Sequence, residues 1–153
     1  MEEKKLQIRD IYNKMFPIVT QKITGIEIKE VQSEGIKVKE PWYVYIKSRG
    51  KFQSVLMCMI EKDLKDVLLC NMNHGKELSE EVKGLYLGEY VNIICGHALT
   101  YINNIIGSSS MLTVPKVLME PLSEEINFSL QEIFCFESQH GIMKIKLQYE
   151  IEE

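Results

Sequence analysis

Leu87, Val91, Ile94, Ala98, Tyr101, Ile102 and Ile105 recur at helical spacing. At about 100° per residue they fall within one apolar stripe. Glu89, Asn92, Gly96 and Asn103 fall on the opposite side, with Leu85 and Leu99 beside them on the outer face. The pattern predicts one long helix. Ser79 suits its N-cap, and Glu80 and Glu81 suit the positive end of the helix dipole. The helix should run to about Ile106, where Gly107-Ser108-Ser109-Ser110 breaks it.

The rest of the chain alternates between the two periods. Leu6, Ile8, Ile11, Tyr12 and Met15 predict an amphipathic helix over 4–15, ended by Pro17. Residues 24–31 alternate Ile26 and Ile28 with Glu27 and Lys29, as a half-buried strand does. Gly35 marks a turn, after which Ile36 and Val38 start a second strand. Residues 43–48 and 52–60 form a hairpin across Arg49-Gly50-Lys51. Residues 55–60 are apolar on both faces, which predicts a central strand covered on both sides. Leu64, Val67, Leu68 and Met72 predict a helix over 62–73, closed at Gly75. Period two returns after Pro115: a short strand over 116–119, a strand over 126–137, a turn at 138–141, and alternation from Met143 to Ile151. The order is that of an α+β fold, an antiparallel or mixed β-sheet with two long helices packed on it, in a single domain spanning 1–153.

Composition narrows the function classes. A hydrophobic fraction of 45% and a charged fraction of 26% over 153 residues suit one globular core. The net charge of −4 carries no basic excess, which disfavours a nucleic-acid partner. The acidic ends, Met1-Glu2-Glu3 and Glu150-Ile151-Glu152-Glu153, read as solvated tails. The start, MEEKKLQIRD, lacks the apolar run of a signal peptide, and no stretch approaches the roughly 20 apolar residues of a membrane span. A cytoplasmic location without membrane insertion is expected. Cys58, Cys70, Cys95 and Cys135 are too scattered for a metal knuckle or a redox pair, so reduced, mostly buried thiols are expected. His74, His97 and His140 are scattered too, and no metal site is expected. Trp42, Tyr43 and Tyr45 could serve an interface or simply the core and strand surface. No Gly-Lys-Ser/Thr phosphate loop and no Ser/His/Asp arrangement stands out.

On spacing alone Glu89 and Asn92 are a pair of helix neighbours on one patch. Residues 78–118, however, resemble the signature helix of the CheC/CheX/FliY family of chemotaxis phosphatases. That pattern is Glu, two residues, Asn, about 22 residues, then Pro. Glu89, Asn92 and Pro115 fit it, with 22 residues between the last two, and Gly96 fits the N-x-x-x-G look of these helices. The element order and the single copy of the helix are similar to CheX. Two positions depart. Leu85 stands where the fuller pattern has Asp or Ser, and Thr113-Val114-Pro115 has one proline where two are frequent. Altered partner choice or weakened activity is compatible with that.

The resemblance implies a phosphatase that hydrolyses the aspartyl phosphate of a CheY-type response regulator. An acyl phosphate is already reactive, so the catalyst needs chiefly to place one water in line. Asn92 would orient that water, since a carboxamide offers both a donor and an acceptor. Glu89 would pair with a regulator lysine. Leu85, Gly96, Leu99 and Pro115 would line the partner surface. Mg2+ is expected on the partner regulator, leaving this chain without a cofactor of its own. A homodimer with sheets joined across subunits is also implied. The alternatives are a non-catalytic regulator-binding or signalling module with the same fold, and a structural domain with no link to phosphorylation.

Overall fold

A computed structural model describes residues 2–123 and 126–152. The elements are α1 (Glu2–Thr24), β1 (Lys29–Glu30), β2 (Trp42–Arg49), β3 (Phe52–Ile60), α2 (Lys62–Met72), α3 (Glu80–Ile106), β4 (Met111–Leu112), β5 (Lys116–Leu118), β6 (Leu130–Ser138) and β7 (Gly141–Ile151). The strands form one sheet in the order β1-β6-β7-β3-β2-β4, with β5 also paired to β2. Every pairing is antiparallel. The fold is therefore α+β, with the two long helices, α1 and α3, against each other and over the sheet.

Alternation fixes which face of the sheet meets the helices. Ile46, Leu56, Cys58, Phe134, Phe136, Ile145, Leu147 and Tyr149 are buried on that face. They meet Tyr12 and Phe16 of α1, Leu64 and Leu68 of α2, and Leu87, Val91 and Ile94 of α3 in one core. Phe16 stacks on Phe136 at 5.8 Å and Tyr12 lies 6.2 Å from Phe134, which seats α1 over β6. Each such side chain contributes about 1.5–3 kcal/mol by burial.

Among the described residues the opposite face carries no helix. Lys144, Lys146 and Gln148 of β7 and Met57 and Met59 of β3 are half-buried there. β3 is central, as expected, but is covered by helices on one side only. The segment after β5 crosses this second face, where the Leu122 amide donates to the Tyr45 hydroxyl at 2.8 Å. Trp42 borders the core and stacks under the Lys65 ammonium at 3.9 Å.

Several boundaries differ from those the sequence predicts. Helix α1 runs through Pro17 to Thr24. Proline removes one backbone donor, but Val19, Thr20 and Thr24 beyond it are buried, and that packing carries the helix on. Glu2 and Glu3 form the first turn of α1, and Glu150 and Ile151 belong to β7, so neither stretch is a solvated tail; Met1 and Glu153 lie outside the described residues. Only Lys29–Glu30 of 24–31 pairs as a strand, although Ile26 and Ile28 are buried as the alternation requires. Ile36 and Val38 start no strand. β6 begins at Leu130 rather than 126. Cys58, Cys95 and Cys135 are buried, and Cys70 is exposed. Among the described residues no helix is long and apolar enough to cross a membrane.

Candidate functional site

Helix α3 is 27 residues long and is fixed at both ends. Ser79 Oγ accepts from the Val82 amide at 3.4 Å, and Gly107 closes the helix in the left-handed region at φ 74°. In its middle, Tyr90 is buried and hydrogen-bonded to Thr20 of α1. Burial, only partly offset by that hydrogen bond, pushes the Tyr90 phenol far above its ordinary range. Tyr90 therefore anchors the inner face and stays neutral. Its neighbour Glu89 is exposed, and Asn92 is half-buried one turn on.

The buried arc of α3 includes Leu87, Gly88, Tyr90, Val91, Ile94, Cys95, Ala98, Leu99 and Ile102. It is wider than the predicted stripe because α3 is covered by the sheet, by α1 and by the β4–β5 segment at once. Two expectations change as a result. Leu99 is only 6% exposed and packed into the core, so it offers a partner almost no surface. Tyr101, expected in the core stripe, is 53% exposed.

The remaining site residues come together. Leu85, at 70% exposure, Glu89, Asn92 and Gly96 lie along the uncovered side of α3. A Cβ on Gly96 would meet no neighbouring atom within 4 Å. Pro115 reaches this face from the other side. A Cβ on Gly88 would stand 3.5 Å from the Pro115 ring and 3.4 Å from Val117 Cγ2, and one on Gly84 would stand 4.0 Å from Val117 Cβ. Gly84 and Gly88 are i,i+4 neighbours and form the stripe on which Val117 of β5 and Pro115 lie; Asn92 is the next i,i+4 position toward the C-terminus. Two glycines spaced i,i+4 inside a long helix are a sequence signal for such close packing, one the apolar periodicity passes over.

Among the described residues, neither Glu89 nor Asn92 has a hydrogen-bond or ion-pair partner. A carboxylate and a carboxamide with open hydrogen-bonding capacity thus project side by side from a packed helix. Such a pair can take a cation on the carboxylate and a water or anionic oxygen on the amide. Among the described residues, no group of three or more His, Cys, Asp and Glu side chains is placed to hold a metal ion.

No protein-family model and no curated protein matches the sequence. Solved structures do. The chemotaxis protein CheX from Desulfovibrio desulfuricans is 16% identical with a TM-score of 0.81, covering 94% of this chain and 99% of that chain. CheX from Vibrio vulnificus is 18% identical with a TM-score of 0.80, over 94% and 99% of the two chains. A chain of the CheX–CheY–BeF3–Mg2+ complex from Borrelia burgdorferi is 16% identical with a TM-score of 0.73, over 92% of this chain and 96% of that chain. The chain has the fold of the CheX, CheC-like and FliY chemotaxis proteins.

Proposed function

We propose that this protein is a CheX-like phosphatase that hydrolyses the aspartyl phosphate of a CheY-type response regulator. One observation carries the reading: Glu89 and Asn92 project together, without partners among the described residues, from the uncovered side of α3 next to the Pro115 contact. Asn92 orients the attacking water, its carbonyl accepting from the water while its amide donates to a phosphoryl oxygen. Glu89 does not approach the phosphoryl oxygens, where like charges repel. It pairs with a regulator lysine and fixes the docking register. Mg2+ belongs to the regulator. A neighbour of the same fold was solved in a complex of CheX with CheY, BeF3 and Mg2+, which supports a CheY-type partner.

The decay of a phosphorylated CheY-type regulator tests the reading. The protein should accelerate decay, and Asn92→Ala should remove the acceleration while keeping regulator binding. Full acceleration by Asn92→Ala would exclude Asn92 as the water-orienting group. The second reading, a regulator-binding module without catalysis, is favoured by exposed Leu85 at a position where the family pattern has a polar side chain. Binding without faster decay would establish it. Self-association into a homodimer is a separate proposal, read by sedimentation.

A further inference from the structure

Val114 is 88% exposed, more than any other large apolar side chain among the described residues. A single exposed valine needs no explanation; the rigidity of its setting does. On one side the Thr113 amide donates to the Lys47 carbonyl at 2.8 Å and its hydroxyl accepts from the Lys47 amide at 3.2 Å. On the other side Pro115 packs on Gly88. Further back, Asn103 holds Ser110 by two hydrogen bonds of 3.1 Å. The segment from Ser110 to Val117 therefore runs antiparallel along α3, with Pro115 level with Gly88 and Ser110 with Asn103. Extended chain advances about 3.3 Å per residue and a helix about 1.5 Å. One step from Pro115 toward Ser110 therefore spans about two helical residues and brings Val114 level with about Tyr90, between Gly88 and Asn92.

We propose that Val114 is a specificity-determining contact for the phosphorylated receiver. It presses on an apolar patch beside the receiver's phosphorylated carboxylate while Glu89 and Asn92 reach into the site. The inference rests on the function proposed above and names a further contact for it. An apolar contact at the rim excludes water from the polar contacts inside it. Because the backbone is held on both sides, docking Val114 orders little that is not already ordered. A second copy adding a strand here is the poorer occupant. β4 and β5 are two and three residues long, and Pro115 between them has no N–H to donate.

The test is the rate of decay of the phosphorylated regulator against protein concentration for wild type, Val114→Asp, Val114→Ser and Val114→Ile, with affinity for the BeF3-activated receiver, thermal midpoint and sedimentation of each. Val114→Asp should lower kcat/KM and affinity about tenfold and Val114→Ser by less, with saturated kcat and thermal midpoint close to wild type; Val114→Ile should retain wild-type values. Affinity alone decides if wild type binds without accelerating decay. Wild-type affinity in Val114→Asp and Val114→Ser overturns this inference and leaves the proposed function standing. Altered sedimentation with unchanged regulator affinity also overturns it and assigns Val114 to a second copy. A wild-type protein that neither binds nor dephosphorylates the regulator overturns the proposed function and this inference with it.

Discussion

A glycine inside a helix costs about 1 kcal/mol relative to alanine, and at Gly96 there is room for the missing methyl group. Packing within the chain therefore does not require this glycine, whereas close approach by a partner would. Gly96→Ala should raise folding stability by about 0.5–1 kcal/mol in denaturant titration and lower regulator affinity; equal or better affinity removes Gly96 from the docking surface. Glu89→Ala should raise KM more than it lowers saturated kcat, and should flatten the dependence of KM on salt, because an exposed ion pair is screened. An unchanged salt dependence removes Glu89 from the lysine pairing. The outward position of both polar residues was legible from the period of α3. Leu99 and Tyr101 were not, because a helical wheel assumes one covered side and α3 is covered on three.

Asn103 shows how an element is made rigid by a residue remote from the chemistry. Its carboxamide accepts from the Ser110 amide and donates to the Ser110 carbonyl, and Ser110 Oγ in turn accepts from the Phe52 amide at 3.0 Å. The C-terminal end of α3, the return segment and the β2–β3 hairpin are tied at this point. Asn103→Ala leaves two backbone groups of Ser110 without their partner and should cost about 1–3 kcal/mol. Amide exchange at Ser110 and Phe52 should quicken; unchanged exchange at both would show that the tie is redundant. The sequence placed Asn103 on the outer face but could not show this closure, which depends on a loop folding back. The same holds for α1 beyond Pro17. The proline is a local signal to stop, while Thr20 bonding Tyr90 is a contact between residues far apart in sequence. Hairpins and caps were legible because their signals are local: the Ser79 cap, Gly107, and the alternation of β7.

At the scale of the whole molecule, the sheet and its helices enclose groups that ionise at alkaline pH. Burial pushes the Cys95 thiol up to about 12, and the Tyr149 phenol up to about 12 with help from Glu132 and Glu2. It also raises the Cys58 thiol, with Cys95 adding to the effect. A group whose acidity is suppressed on folding contributes stability that is complete below its unfolded pKa and is lost as pH rises toward the folded value. Unfolding free energy should therefore fall from about pH 8.5 upward, where an unfolded cysteine begins to ionise, by at most about 1.4 kcal/mol per pH unit for each such group. Cys95→Ala should make that decline shallower, and an identical slope would remove Cys95 from it. Exposed Cys70 should be alkylated in the native state, well before the three buried thiols.

The pairing of β3 with β7 has a consequence for how the chain is made. The register runs unbroken from Phe52 opposite Ile151 to Ile60 opposite Met143. Between the two strands in sequence lie α2, α3, β4, β5 and β6. A ribosome adding about 5–20 residues per second must work for several seconds after releasing β3 before its partner exists. Throughout that interval an apolar strand edge is open to any other strand in reach. Synthesis halted before Gly141 would leave the edge open permanently. For this chain the β3 edge is open longest while the sheet is being synthesised, before β7 exists to pair with it.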